Sequence, residues 1–415
     1  MKRRYELGAM DLYPVAANKT QIENNPFLQV EFAEEVDADR LYDAVKKALE
    51  DHPLFACTLK YDNGYYLETN DAEFNIFNVD VNDRPLAFGD NTNGFLWQLC
   101  CRGRFVTFEW CHAISDGRGG FAFFTSVLFH YFGVERRVEP AFELGLESFY
   151  DKNEKGIPQK KQEKGFAPGA IPYIKRGYKT DCHILKAPMS QVLAAAKKSD
   201  SSPAAVLPPL FSMALRRHMK ANAKNRNVSC NVVIDCRGPM KFETMHNFII
   251  SKVITYVDRY DKMDFPLVST IYRALLDLAV QPENVVKEAT DTIDRIKPLV
   301  CIKPRFLQKA VAKVVAGAIK HSDSNFTFTY LGKLDFPDEV MERLRNFQFR
   351  SWTDFGECNI AAADFGGELI LNICENYKDK QIVPEFIDIC SSVGLHFEKV
   401  DEFVFEQANL RMERI

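Results

Sequence analysis

Phe105-Val106-Thr107-Phe108-Glu109-Trp110-Cys111-His112-Ala113-Ile114-Ser115-Asp116-Gly117-Arg118-Gly119-Gly120 is the stretch on which the reading of this chain turns. Alternation places Val106, Phe108, Trp110 and His112 on one face of a strand, so the imidazole leaves that strand on its apolar side. Asp116 follows four residues later, just before a glycine turn, and Phe121-Ala122-Phe123-Phe124 opens a helix that packs the turn onto the core. A histidine at a strand end in a partly dry site suits a general base, because its pKa stays near working pH. Taken alone, such a histidine is more often a core or loop residue with satisfied nitrogens. Cys111 beside it reads as a buried thiol, because neighbours on a strand point to opposite faces and cannot readily hydrogen bond. Gly117-Arg118-Gly119-Gly120-Phe121-Ala122 also fits a dinucleotide-binding pattern, with Glu135 near the distance of a ribose-binding acid. That reading is set aside, since residues 112–116 separate strand from turn and no β-branched strand leads into Glu135. No G-x-S-x-G elbow or P-loop is present.

The stretch lies in a chain of 415 residues with 53 basic and 57 acidic side chains, a formal net charge of −4. The length suggests roughly two or three structural units. With 46% hydrophobic residues, the chain can bury a large core, which excludes global disorder. The small negative charge argues against an electrostatic grip on nucleic acid. Met1-Lys2-Arg3-Arg4 resembles a signal n-region, but Asp11, Asn18 and Lys19 interrupt any apolar segment after it. The longest uncharged run, between Arg118 and Glu135, covers sixteen residues. It is shorter than the roughly 20 of a membrane span and reads as a buried helix. Eleven irregularly spaced cysteines fit free thiols in a reducing cytoplasm. No His/Cys cluster has metal-ligand spacing, so no metal is expected.

Outward from the central stretch, each half mixes strands and helices without strict alternation, unlike a doubly wound sheet. In the first half, residues 30–36 read as a strand. Asp37 is available as a helix cap, with Leu41, Val45, Ala48 and Leu49 on one stripe. Asp62-Asn63-Gly64 marks a hairpin, residues 74–79 a short strand, and residues 95–101 and 104–111 two strands joined at Gly103. Residues 152–179, rich in Lys, Glu, Gln, Gly and Pro, read as an exposed connection. In the second half, strands are expected at 182–185, 228–235, 248–257, 326–330, 359–362 and 369–374. Helices are expected at 188–198, from 203 toward 219 with Pro208-Pro209 starting or bending it, over much of 267–320, and at 383–395.

The segment His112-Ala113-Ile114-Ser115-Asp116-Gly117 resembles the HxxxDG motif of the chloramphenicol acetyltransferase-like superfamily. This group includes alcohol acetyltransferases, BAHD acyltransferases and the condensation domains of peptide synthetases. Asn231-Val232-Val233-Ile234-Asp235-Cys236-Arg237 resembles the second-lobe strand that ends in an arginine. Thr244-Met245-His246-Asn247-Phe248 resembles the step after it. Residues 325–332 resemble the crossover strand before the last third. Condensation domains carry a second histidine where Cys111 stands, which favours a free-standing acyltransferase. Thr353-Asp354-Phe355-Gly356 and Asp364-Phe365-Gly366-Gly367 only echo the late DFGWG segment of the plant enzymes.

The resemblance implies an α/β fold of two lobes, each a mixed β-sheet packed with helices, with an active-site tunnel between them. Residues 1–151 would form the first lobe, 152–180 the connection and 181–415 the second lobe. By the same resemblance, His112 would be the general base. It would take a proton from a hydroxyl or amine that attacks an acyl thioester directly, most simply acetyl-CoA or another acyl-CoA. Asp116, with Gly117 beside it, would pair with Arg237 and aim the loop without touching substrate. Asn247 reads as a turn or strand-start residue. The oxyanion stabiliser and the CoA-binding residues are not legible. A monomeric cytoplasmic enzyme with no permanently bound cofactor is expected. The alternatives are an acyl-transfer or condensation enzyme fed by an acyl carrier protein, or a non-catalytic binding member of the fold.

Overall fold

The computed structural model describes residues 2–8, 10–12, 15, 25–62, 64–80, 86, 89–135, 145–151, 164–166, 170–172, 180–220, 223–300, 324–351 and 358–405. The first half contains β1 (Arg4–Glu6), β2 (Pro26–Phe32), α1 (Ala38–Asp51), β3 (Cys57–Tyr61), β4 (Tyr65–Thr69), β5 (Ile76–Phe77), β6 (Trp97–Arg102), β7 (Phe105–Trp110) and α2 (Gly117–Phe132). The second contains β8 (Thr180–Pro188), α3 (Met189–Lys198), α4 (Pro203–Arg217), β9 (Val228–Asp235), β10 (Ile249–Tyr256), α5 (Phe265–Ala279) and α6 (Pro282–Val300). It continues with β11 (Phe326–Lys333), β12 (Leu344–Ser351), β13 (Cys358–Phe365), β14 (Glu368–Glu375), α7 (Ile382–Ser392) and β15 (Glu398–Phe405).

Two large sheets organise these elements. A five-stranded sheet has the order β12-β2-β7-β6-β5, and a seven-stranded sheet the order β10-β9-β11-β13-β14-β8-β15. Both are mixed: β5 runs parallel to β6, and β11 runs parallel to both β9 and β13, while their other pairs are antiparallel. A small sheet β1-β4-β3 accompanies the first. The architecture is the expected mixed α/β arrangement of two sheet-and-helix lobes.

Local chemistry accounts for the elements around the site. Asp37 caps α1, its carboxylate accepting from the backbone N–H of Asp39 and Arg40, both at 3.0 Å. Along β7, Val106, Phe108 and Trp110 are fully buried, and α2 lies on that face, with Phe123 and Phe124 5.2 and 5.8 Å from the Phe108 ring. Phe108 stacks on Trp110 at 5.0 Å between centroids, and Phe55 stacks on Phe123 of α2 at 4.3 Å. The close approach of α2 to β7 depends on Gly120, where an added Cβ would lie 2.2–2.7 Å from three ring atoms of Trp110. Gly120→Ala should therefore cost about 1–3 kcal/mol through overpacking. Urea unfolding checks this, and an unchanged midpoint would contradict the packing described.

The structure departs from the sequence expectations at particular places. The strand that crosses between sheets is β12, not residues 325–332: β12 pairs with β2 in the first sheet, whereas β11 lies inside the seven-stranded one. Phe347 and Phe349 of β12 join the core of the first lobe, together with Phe365 and Ile184. Residues 344–351 thus belong with the first sheet although they lie far along the chain. Pro208 and Pro209 sit inside a continuous α4, and β7 ends at Trp110 rather than reaching His112. Asp364-Phe365-Gly366-Gly367 is a β-hairpin turn, with both glycines at positive φ (61° and 81°), the conformation glycine supplies without strain. Asn63, residues 353–357 and 301–323, and much of the 152–180 connection fall outside the described residues. Among the described residues, ten cysteines are buried and free, and no helix is long and apolar enough to cross a membrane.

Candidate active site

Beyond Trp110 the chain leaves β7 in two steps. The Cys111 N–H donates to the Leu96 carbonyl at 2.7 Å, extending the ladder by one bond, and Ile114 N–H then reaches back to the Cys111 carbonyl at 3.1 Å. His112 sits in the resulting turn, half-buried, while Cys111, Ala113 and Ile114 on either side are buried. Trp110 Nε1 donates to the Ser115 carbonyl at 3.1 Å, and Ser115 Oγ donates to the Met245 carbonyl at 2.6 Å. The loop is thereby pinned to its own strand on one side and to the second lobe on the other.

Asp116 ends the loop and caps α2. Its Oδ1 accepts from Arg118 N–H (3.1 Å) and Gly119 N–H (2.9 Å). The same carboxylate, fully buried, receives both Arg237 Nη atoms, Nη1 to Oδ2 at 3.0 Å and Nη2 to Oδ1 at 3.1 Å, and Phe248 N–H at 2.8 Å. Burial pushes the Asp116 carboxyl up, but the Arg237 charge and these hydrogen bonds outweigh it and hold its pKa below the usual carboxylate range. Arg237 shifts upward for the matching reason: burial disfavours its charge, and Asp116 and Asp235 restore it. Close approach requires glycine at 119 and leaves little room for a side chain at 117. A Cβ on Gly117 would meet Phe349 at 3.2 Å, and one on Gly119 would meet the Met245 carbonyl oxygen at 2.5 Å.

Arg237 belongs to the connection between β9 and β10, which folds back over the start of α2. The arginine is locked there by Nε donating to the Thr244 carbonyl (2.9 Å), Nη2 to the His246 carbonyl (2.9 Å) and Nη1 to Asp235 Oδ1 (2.9 Å). The structure thus brings Asp116, Gly117 and Arg237 into one cluster, with His112 at the head of the same loop.

Two features of the cluster escape the sequence reading. Asn247 is not merely a turn residue: its Nδ2 donates to the His112 carbonyl at 2.8 Å and to Asp11 Oδ1 at 2.7 Å. Asp11 appears in the sequence only as an interruption of an apolar segment, yet it is buried against His246 and Asn247. Cys111 is a buried thiol, and burial pushes it up to about 12, away from the thiolate that a nucleophile needs. A cavity of about 450 Å³ opens between α2 and the arginine connection, lined by Arg118, Phe121, Thr244 and Met245 and by Asp51 and His130. His112 is not among its lining residues.

No protein-family model matches the sequence, and no curated protein does. Solved structures match over nearly the whole chain. The epimerization domain from the third module of tyrocidine synthetase B is 12% identical, with 95% of each chain covered and a TM-score of 0.63. TRI101 of F. sporotrichioides, complexed with coenzyme A and T-2, is 9% identical, with 96% of this chain and 100% of that one covered and a TM-score of 0.65. TRI3 trichothecene 15-O-acetyltransferase from Fusarium sporotrichioides is 10% identical, with 94% of each chain covered and a TM-score of 0.61. At such identities the likeness is one of architecture: over nearly its whole length this chain shares the fold of condensation-type domains and of the trichothecene acetyltransferases.

Proposed function

We propose that the protein is an acyltransferase that moves an acyl group, in the simplest case acetyl, from a CoA thioester to a hydroxyl or amine by direct transfer. The observation that carries this reading is the clamp on the His112 loop. A buried ion pair between the two halves of the chain, and an amide on the His112 carbonyl, hold a half-buried imidazole at the end of β7. Preorganisation of this kind matters because a general base must lie within hydrogen-bond reach of the proton it removes. Support also comes from the fold, which this chain shares over nearly its whole length with a protein complexed with coenzyme A.

In the proposed reaction, His112 takes the proton of the acceptor O–H or N–H. The acceptor atom bonds to the thioester carbonyl carbon, and collapse of the tetrahedral intermediate breaks the C–S bond. The imidazolium then returns its proton to the leaving thiolate, so the enzyme ends as it began. Asp116 and Arg237 take no part in bond making and act by holding the loop.

Thiol release from acetyl-CoA with a panel of alcohols and amines tests the proposal. The expected result is release that depends on the acceptor. Release that is absent throughout the panel, or that never exceeds acceptor-free hydrolysis, would count against it.

A further inference from the structure

Behind the His112 loop lies a buried polar cluster that the ion pair does not include. Asp11 is 2% exposed and belongs to the N-terminal segment. Its Oδ1 accepts from Asn247 Nδ2 at 2.7 Å and, at the long distance of 3.5 Å, from the Asn247 backbone N–H. Its Oδ2 accepts from Gly8 N–H at 3.2 Å and meets His246 Nδ1 at 3.1 Å. The Asn247 amide nitrogen has two hydrogens, and both are committed, one to Asp11 and one to the His112 carbonyl at 2.8 Å. The opposite amide orientation would set an oxygen against a carboxylate and a carbonyl at once, so Asp11 dictates which way the amide faces. Among the described residues Asn247 Oδ1 is buried without a partner, a cost that native structures rarely carry in places without a role.

We propose that Asp11 is a positioning residue for His112: through the Asn247 amide, the N-terminal segment sets the aim of the general base. This rests on the acyltransferase reading above. His246 Nδ1 faces the Asp11 carboxylate at 3.1 Å. Burial alone would lower its pKa, but the charge and hydrogen bond of Asp11, and the charges of Glu147 and Asp116, raise it. The segment is further secured by Met10 N–H donating to Glu147 Oε1 at 3.1 Å. The chain from carboxylate to amide to carbonyl ends on the backbone of His112 itself. Loss of the carboxylate therefore frees the amide to turn and the turn at residues 111–114 to shift. Misplacement of a base by about 1 Å can cost on the order of 10²-fold in rate.

The test uses the full chain with acetyl-CoA and whichever acceptor the panel identifies. Asp11→Ala and Asn247→Ser should each lower kcat about tenfold or more, with KM for acetyl-CoA changed less than about threefold. The double variant should lose no more than the worse single one, because both act through one connection. Asp11→Asn keeps an oxygen toward the Asn247 amide and should recover the larger part of the Asp11→Ala loss. A purely structural role predicts a lower unfolding midpoint with kcat per folded molecule intact, or additive losses, and either would overturn the proposal. A second readout needs no turnover. In 15N-histidine-labelled protein, the His112 ring resonances, assigned with His112→Gln, should move in both single variants, and unmoved resonances would refute the connection. If wild type shows no acceptor-dependent release while these resonances do respond, the positioning inference stands and the acyltransferase reading fails.

Discussion

Replacing His112 with alanine should lower acceptor-dependent thiol release by about 10²–10⁴-fold, the range over which a positioned acid–base group accelerates proton transfer. The loss should fall on kcat. His112 is half-buried, and no side-chain hydrogen bond of its imidazole secures the fold among the described residues, whereas its carbonyl, which alanine retains, carries the bond from Asn247. The thermal midpoint should therefore stay close to the parent's. His112→Gln, close in size but without a basic nitrogen, should be as inactive as alanine. A loss that appears only in KM, with kcat preserved, would assign His112 to binding and not to proton transfer.

Removing the carboxylate of Asp116 should act on stability first. Asp116→Ala leaves the buried Arg237 guanidinium with the more exposed Asp235 as its carboxylate, and breaking a buried pair from one side costs about 3–5 kcal/mol. It also strips the cap of α2 and the acceptor of Phe248 N–H. Asp116→Asn retains an oxygen for the cap and should cost less. The pH dependence has a definite sign. The folded pKa of Asp116 lies below its ordinary value of 3.8, so its contribution is fully present above that value and fades as pH falls below it. Chemical unfolding of Asp116→Asn should lack this acid-linked component. Equal midpoints for the parent and Asp116→Ala at neutral pH would contradict the clamp.

The central loop was legible in the sequence because its determinants are local. Alternation along residues 105–110 set the buried face of β7, and an aspartate before glycines marked the start of α2. Arg237 emerged from the resemblance of its own strand end, and the structure places it on Asp116 across 121 residues of chain. What stayed hidden is non-local. Asp11 reaches Asn247 across 236 residues, and nothing in either neighbourhood reveals the contact. The same holds for β12: Phe347 and Phe349 alternate with Gln348 and Arg350 as a strand should, but which sheet it joins depends on packing against β2. The end of β7 moved because one turn hydrogen bond, Ile114 to Cys111, competes with continuation of the strand. Pro208 and Pro209 do not start α4: it begins at Pro203 and carries both prolines, buried, in its interior.

The most direct test of the account is a structure determined with coenzyme A bound. The account predicts the thiol sulfur beside the His112 imidazole, near the hydrogen-bond reach of about 3 Å that proton return demands, with Asp116 still paired to Arg237. Coenzyme A that fails to bind, or that binds with its sulfur away from His112, would contradict it.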